Sequence, residues 1–336
     1  MNAHPQQIWT DWQAQQRAAR ISTADLLAEV GLSAADFPAG VLAAPDFPVS
    51  APPHFRSLIR RGDPGDPLLR QVLARGEEAL PQPGRLTDPL EEADYRAAPG
   101  LLRKYRSRAL MIASGACAIH CRYCFRRHYD YGAAMLTRAG EAEALAAIAA
   151  DPAIEEVILS GGDPLSLNDA RLDGLVTAIA AVPHVGTLRL HSRTLMTIPD
   201  RVTPALIRLL TGTRLAVVIV AHSNHANEIS ADVAAALGRL RAAGVTLLNQ
   251  SVLLAGVNDD AATIAAHARR IFAAGMLPYY MHLTDPVDGA AHFDVDEGRA
   301  RLIEAELRGM LPGYLVPRFV REVPGRTAKT PLADLS

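Results

Sequence analysis

Three cysteines stand in the stretch SGACAIHCRYCFRRHYDYG, residues 114–132, and the 336-residue chain has no others. Cys117, Cys121 and Cys124 form CxxxCxxC directly after an apolar run, RALMIAS. Thiolates on one tight loop can take three corners of a four-iron, four-sulfur (4Fe-4S) cluster, leaving the fourth iron open to another ligand. A zinc site completed by His120 or His128 is the competing reading, although zinc usually takes paired CxxC knuckles and this chain has none. An odd cysteine count confined to one loop argues against a secreted disulfide framework. A second candidate is SGGDP, where Ser160, Gly161, Gly162 and Asp163 follow another apolar run. Glycines there let the backbone approach a ligand closely, and a plain turn is the alternative.

These groups need a scaffold, and the chain from about residue 107 offers one. Six short apolar runs, RALMIAS, EEVILS, GTLRLH, LAVVIVA, VTLLNQ and LPYYMHL, have strand length. Between them lie EAEALAAIAAD, ARLDGLVTAIAAV, TPALIRLLTG, ADVAAALGRLRAAG and DDAATIAAHARRIFAAG, whose apolar residues recur at helical spacing. Alternating strands and helices predict an α/β fold, a partial (β/α)6 TIM-like barrel of parallel strands with right-handed crossovers. Its functional groups should gather where the strands end. Residues 1–100, with Pro-rich turns such as FPVSAPPHF and a helix capped by Ser22 or Thr23, read as a mostly helical accessory region. The expected division is 1–100, a barrel over 101–315 and a C-terminal segment over 316–336.

Composition narrows the partners. The net charge is -2, from 34 Lys and Arg against 36 Asp and Glu, so there is no basic field for nucleic acid. The N-terminal MNAHPQQIWTDWQAQQ has neither a cationic nor an apolar leader region, and no run is long enough to span a bilayer. A soluble, cytoplasmic protein acting on small molecules is expected, with a homo-oligomer left open.

CxxxCxxC with Tyr123 before its last cysteine resembles the signature of the radical S-adenosylmethionine superfamily. The resemblance extends over roughly residues 95–331 in seven ordered blocks. They are KYRSRALMIASGACAIHCRYCFRRHY, LSGGDPLSL, LHSRTLMTIPDRVTP, HSNHANEI, NQSVLLAGVND, YYMHLTDPVDGAAHF and GYLVPRFVREVPGRTAKTP. Together they are similar to the lysine 2,3-aminomutases, in particular to the bacterial branch that makes (R)-β-lysine for modification of elongation factor P. The resemblance implies three cofactors: the 4Fe-4S cluster on Cys117, Cys121 and Cys124, S-adenosylmethionine, and pyridoxal 5′-phosphate. An amino group cannot be moved between unactivated carbons by protein side chains alone, so cofactors must supply that chemistry.

Position by position, the resemblance makes Lys329 the covalent anchor of pyridoxal phosphate, although Arg326, Thr327 and Ala328 replace the family's glycine run. Lys104, Tyr105, Arg108 and Arg193 fall in the region that holds its phosphate. Ser160, Gly161, Gly162, Asp163, His222, Asn224 and Gln250 fall in the S-adenosylmethionine region. Arg126 is the expected grip on the substrate α-carboxylate, with Arg127 read as solvated. Asp285 and Glu322 are expected to meet the distal ammonium, Glu322 standing where the family usually has Asp. Clostridial-type members carry further cysteines for zinc, and without them no zinc site is expected.

Free L-lysine is the implied substrate, a flavodoxin or ferredoxin the implied electron donor, and a ligase acting on elongation factor P the implied recipient of the product. Two readings compete with it. An aminomutase for another amino acid is disfavoured for acidic substrates because Asp285 and Glu322 would repel a distal carboxylate. A non-catalytic iron-sulfur redox module leaves Lys329 without a purpose.

Overall fold

The computed structural model describes residues 11–131 and 136–335. The first ten residues, which carry most of the N-terminal stretch read above, and Gly132 of the cysteine block lie outside the described residues. The six apolar runs form six parallel strands: β3 (Arg108–Ser114), β4 (Glu156–Gly161), β5 (Thr187–Ser192), β6 (Ala216–His222), β7 (Thr246–Val252) and β8 (Leu277–His282). Strands buried on both faces read as near-continuous apolar runs, which is why they are visible in the sequence.

The sheet is longer than the sequence predicts. β2 (Leu101–Tyr105) adds antiparallel to β3, and β1 (Arg96–Ala98) antiparallel to β2. At the other side β9 (Arg318–Arg321) pairs parallel to β8, and β10 (Thr330–Pro331) returns antiparallel to β9. All ten strands lie side by side in chain order, with β1 and β10 as edges, so the barrel is open. The predicted helices appear at 138–149, 169–180, 204–211, 231–242 and 261–273. A sixth, Glu297–Met310, follows β8 and buries Ala300, Ile303 and Leu307 from an otherwise charged sequence.

Strand side chains alternate between faces, and this sorts packing from chemistry. On β5, Leu188 and Leu190 face the helices and join a core with Val157, Leu159, Ile219, Leu206 and Leu237. Arg189 and His191 face the other way, into the barrel. His222 on β6, Gln250 on β7, and Tyr280 and His282 on β8 do the same.

Among the described residues, the first hundred contribute four short α-helices, 12–17, 23–29, 53–57 and 67–70, joined by 3-10 turns and irregular chain. Ser22 is the N-cap, its Oγ accepting from the Asp25 backbone N–H at 3.0 Å, while Thr23 Oγ1 donates to Leu42 O. This region has its own apolar cluster, including Leu26, Phe55, Leu68, Leu69 and Val72. That cluster reaches the cysteine loop through Ile119 and Cys121.

Candidate active site

A cavity of about 520 Å³ opens at the C-terminal ends of the parallel strands. Its walls bring together Cys117, Cys121, Cys124, Ser160, Gly161, Gly162, Asp163, Arg126, Arg193, His222, Gln250, Asp285, Glu322, Lys329, Lys104, Tyr105 and Arg108. Of the residues expected in the cofactor and substrate regions, Asn224 does not line it, and neither does His128 from the competing zinc reading. The Asn224 side-chain amide donates to Gln71 Oε1 at 2.8 Å and Tyr123 Oη at 2.6 Å, and its Oδ1 accepts from Val252 N at 2.8 Å. Asn224 is therefore spent on a buried network behind Tyr123, which corrects its expected place in a ligand site.

The cysteine loop is held from two sides. From the N-terminal region, Ser50 Oγ donates to Ala118 O at 2.9 Å, Ser50 O accepts from His120 N, and Gln71 O accepts from Arg122 N. Arg122 is wholly buried and pairs with Glu78 through its Nη2 and, at 2.8 Å, its Nε. Arg127 shares the same carboxylate at 2.6 Å and is buried, so it is not the solvated cation expected. From β4, Gly162 N donates to Ser114 O at 2.6 Å and Asp163 N to Ala116 O at 2.8 Å.

That contact explains the glycines. A Cβ on Gly162 would stand 2.4 Å from Ala116 O, and one on Gly161, whose φ is +111°, 2.6 Å from Ser114 O. Gly161 and Gly162 thus admit the backbone of the cysteine loop, where the sequence suggested room for a ligand. Asp163 is likewise committed: its carboxylate accepts from Leu165 N, Ser192 Oγ, Arg193 N and Thr194 N. Arg193 donates to Tyr123 Oη at 2.6 Å and Gln71 Oε1 at 2.7 Å and pairs with Glu228 at 3.2 Å. It is tied to the cysteine-loop network and is not grouped with Lys104, Tyr105 and Arg108 as expected.

At another wall Glu322 gathers three donors. Lys329 Nζ lies 2.6 Å from Oε2, and Lys104 Nζ and Tyr105 Oη reach Oε1 at 2.7 and 2.5 Å. Burial alone raises this carboxyl, but the charge of Lys329 and the hydrogen bonds from Lys104, Lys329 and Tyr105 outweigh it and hold it at about 2. Arg108 lies over the Tyr105 ring at 3.9 Å. Asp285 is the opposite case. Burial pushes its carboxyl up to about 7 against the pull of Lys329, and its Oδ1 has no partner. Arg126, expected to await a carboxylate, already holds one: its Nε and Nη2 donate to Glu92 at 2.7 and 2.6 Å.

Two cavity histidines escaped the sequence reading. His191 and His282 are buried beside His222, and their Nε2 atoms, like that of His222, lack a partner. Burial lowers all three, His222 to about 3, so they are neutral groups able to donate or accept. The signal was present: LHS, AHS and MHL place histidine at the ends of three of the six strand runs. Glu92, Glu78, Glu228 and Gln71 left no local signal.

A family described as the Radical SAM superfamily matches residues 111–268. The L-lysine 2,3-aminomutase of Escherichia coli (strain K12) is 47% identical over 286 residues, covering 85% of this chain and 83% of that protein. That of Haemophilus influenzae is 44% identical over 309 residues, covering 92% and 91%. That of Clostridium subterminale is 32% identical over 335 residues, covering 96% and 78%.

The superfamily implies a 4Fe-4S cluster and S-adenosylmethionine, and the cavity fits both. Burial pushes the Cys124 thiol up to about 11 and Cys117 well above its usual range, so a bound metal group is needed to hold them as thiolates. Among the described residues no three His, Cys, Asp or Glu side chains converge on one ion, and a cluster does not ask for this because each thiolate takes a different iron. His222 Nε2 and Gln250 Oε1, buried and without partners, suit a polar nucleoside. The identity to three L-lysine 2,3-aminomutases over most of the chain, joined to this cysteine-lined barrel mouth, makes the chain a member of the L-lysine 2,3-aminomutase family, radical SAM isomerases.

Proposed function

We propose that the protein is a pyridoxal phosphate-dependent L-lysine 2,3-aminomutase that converts free L-lysine to (R)-β-lysine. In this reading it works in the cytoplasm, takes electrons from a flavodoxin or ferredoxin, and supplies a ligase that modifies elongation factor P. The observation that carries the reading is a cavity whose walls include Cys117, Cys121 and Cys124 together with Lys329, Glu322 and Asp285. A redox module has no need of the second set.

When bound, the cluster with S-adenosylmethionine supplies a 5′-deoxyadenosyl radical and pyridoxal phosphate supplies delocalisation for the migrating nitrogen. The chain's own residues bind and orient. Lys329 is the covalent anchor, and Glu322 Oε2, 2.6 Å from Nζ, orients its amino group toward the cavity. Lys104 and Arg108 offer positive charge to a phosphate, and Tyr105 a hydroxyl. Cys117, Cys121 and Cys124 hold the cluster, while Ser160, His222 and Gln250 line the S-adenosylmethionine side. Arg126 holds the α-carboxylate.

Asp285, buried with Oδ1 unpartnered, faces the distal ammonium. A cation arriving there would restore its charge and gain a partner in low dielectric. Residues 1–100, 101–315 and 316–336 are proposed as accessory, barrel and anchor parts.

The test is anaerobic reconstitution with iron, sulfide, S-adenosylmethionine and pyridoxal phosphate, followed by chiral analysis of the products from L-lysine. (R)-β-lysine is the expected product, and no β-lysine from protein with a filled cluster would sink the proposal. Borohydride reduction of the loaded protein should leave the pyridoxyl group on Lys329 in peptide mass spectra. The group on another lysine would overturn the anchor assignment.

A further inference from the structure

A guanidinium has five N–H donors. Those of Arg126 are nearly spoken for: Nε and one Nη2 hydrogen go to Glu92, and Nη1 donates to Ser160 Oγ at 3.3 Å and Gly161 O at 3.2 Å. One Nη2 hydrogen is left, and a bidentate grip on a carboxylate needs two parallel donors. A substrate carboxylate can therefore take the fork only by displacing an acceptor already there.

The acceptors differ in how firmly they are held. Ser160 and Gly161 belong to β4, inside the sheet. Glu92 sits on a single 3-10 turn, Glu92–Tyr95, outside the ladders, and the residue before it is strained. Glu91 has φ +52°, the one non-glycine residue in the left-handed region among the described residues, an expensive conformation for a side chain with a Cβ. Glu92 is thus the acceptor that can leave. It is also the only carboxylate paired with the buried Arg126 among the described residues.

We propose that Glu92 is a specificity-determining residue: it fills the Arg126 fork in the resting protein and yields only to a ligand that brings its own free α-carboxylate. This deepens, and rests on, the reading of Arg126 as the carboxylate grip. The chemistry selects free amino acids. A lysine within a polypeptide presents an amide there, which is neutral and cannot replace the anion that a buried guanidinium requires.

The test is binding of radiolabelled L-lysine and L-lysinamide to the reconstituted enzyme without reductant, together with KM and kcat under turnover. Wild-type protein should bind L-lysine and exclude L-lysinamide. Glu92→Gln should bind L-lysine roughly tenfold more tightly, the worth of about one charge-assisted hydrogen bond no longer competed for, and lower KM with little change in kcat. Glu92→Asp, whose shorter carboxylate reaches the fork less well, should fall between, and it carries the test if Glu92→Gln does not fold. Unchanged or weaker L-lysine binding in these variants would overturn the inference. Arg126→Gln separates the two levels. Loss of L-lysine binding supports the grip, whereas wild-type affinity in that variant removes the grip and the inference with it.

Discussion

Glu322→Gln removes the one negative charge shared by Lys104 and Lys329 and leaves both ammonium groups facing a neutral amide in a site where Glu322 is about 9% exposed. The size of the effect follows from the carboxyl itself, held at about 2 against an ordinary 4.5. At 1.36 kcal/mol per pH unit the difference is on the order of 3 kcal/mol, in line with the cost of breaking a buried pair from one side. The sign is that of a depressed acid: the stabilisation is complete above about pH 4.5 and is lost as pH falls toward about 2. Urea unfolding of the pyridoxal-free protein and of Glu322→Gln should differ by on the order of 3 kcal/mol at pH 7, and by about 1 kcal/mol less at pH 4. A difference below about 1 kcal/mol at pH 7, or one that does not shrink in acid, would refute the view of Glu322 as the charge that holds both lysines.

Three further variants probe other parts of the site. Asp285→Asn should stabilise the unliganded protein at neutral pH by at least about 1 kcal/mol, because the carboxyl, raised to about 7, costs stability as pH climbs from 3.8 through 7. Equilibrium unfolding across that range checks it, and L-lysine binding should weaken in the same variant. Gly162→Ala sets a Cβ 2.4 Å from Ala116 O. It should cost about 1–3 kcal/mol and lower the iron bound per chain after reconstitution, with full iron content counting against the packing argument. Glu78→Gln, which leaves Arg122 and Arg127 without their shared carboxylate, should lower stability by about 3–5 kcal/mol in thermal unfolding.

The parallel strands were legible because strands such as LAVVIVA are buried on both faces and read as unbroken apolar runs. β9 was not, since RFVR has arginine at both ends and buries only Phe319 and Val320. The helix Glu297–Met310 hid for a similar reason: its buried face is a narrow stripe within a charged sequence. The chemical residues came forward through spacing and resemblance, which fix a residue type at a position but not what it touches. Arg126 finds Glu92 34 positions away and Arg193 finds Gln71 122 positions away. Such pairs are decided by the fold, so the occupied fork of Arg126 and the buried networks of Arg193 and Asn224 emerged only from the structure. Gly161 and Gly162 are a case in point. The pattern announces a close approach, but cannot say whether a ligand or the protein's own backbone makes it.

The cysteine loop is clasped by Ser50, Gln71 and Glu78 and shielded by Ile119 against the first hundred residues. The loop that carries the sulfurs is therefore seated jointly by the barrel and by the first hundred residues, and the surroundings of an iron-sulfur centre are what tune it. The first hundred residues thus reach the loop without contributing a cysteine to it. Substitutions there can shift the cluster's potential and its sensitivity to oxygen while the walls that recognise the substrate stay as they are.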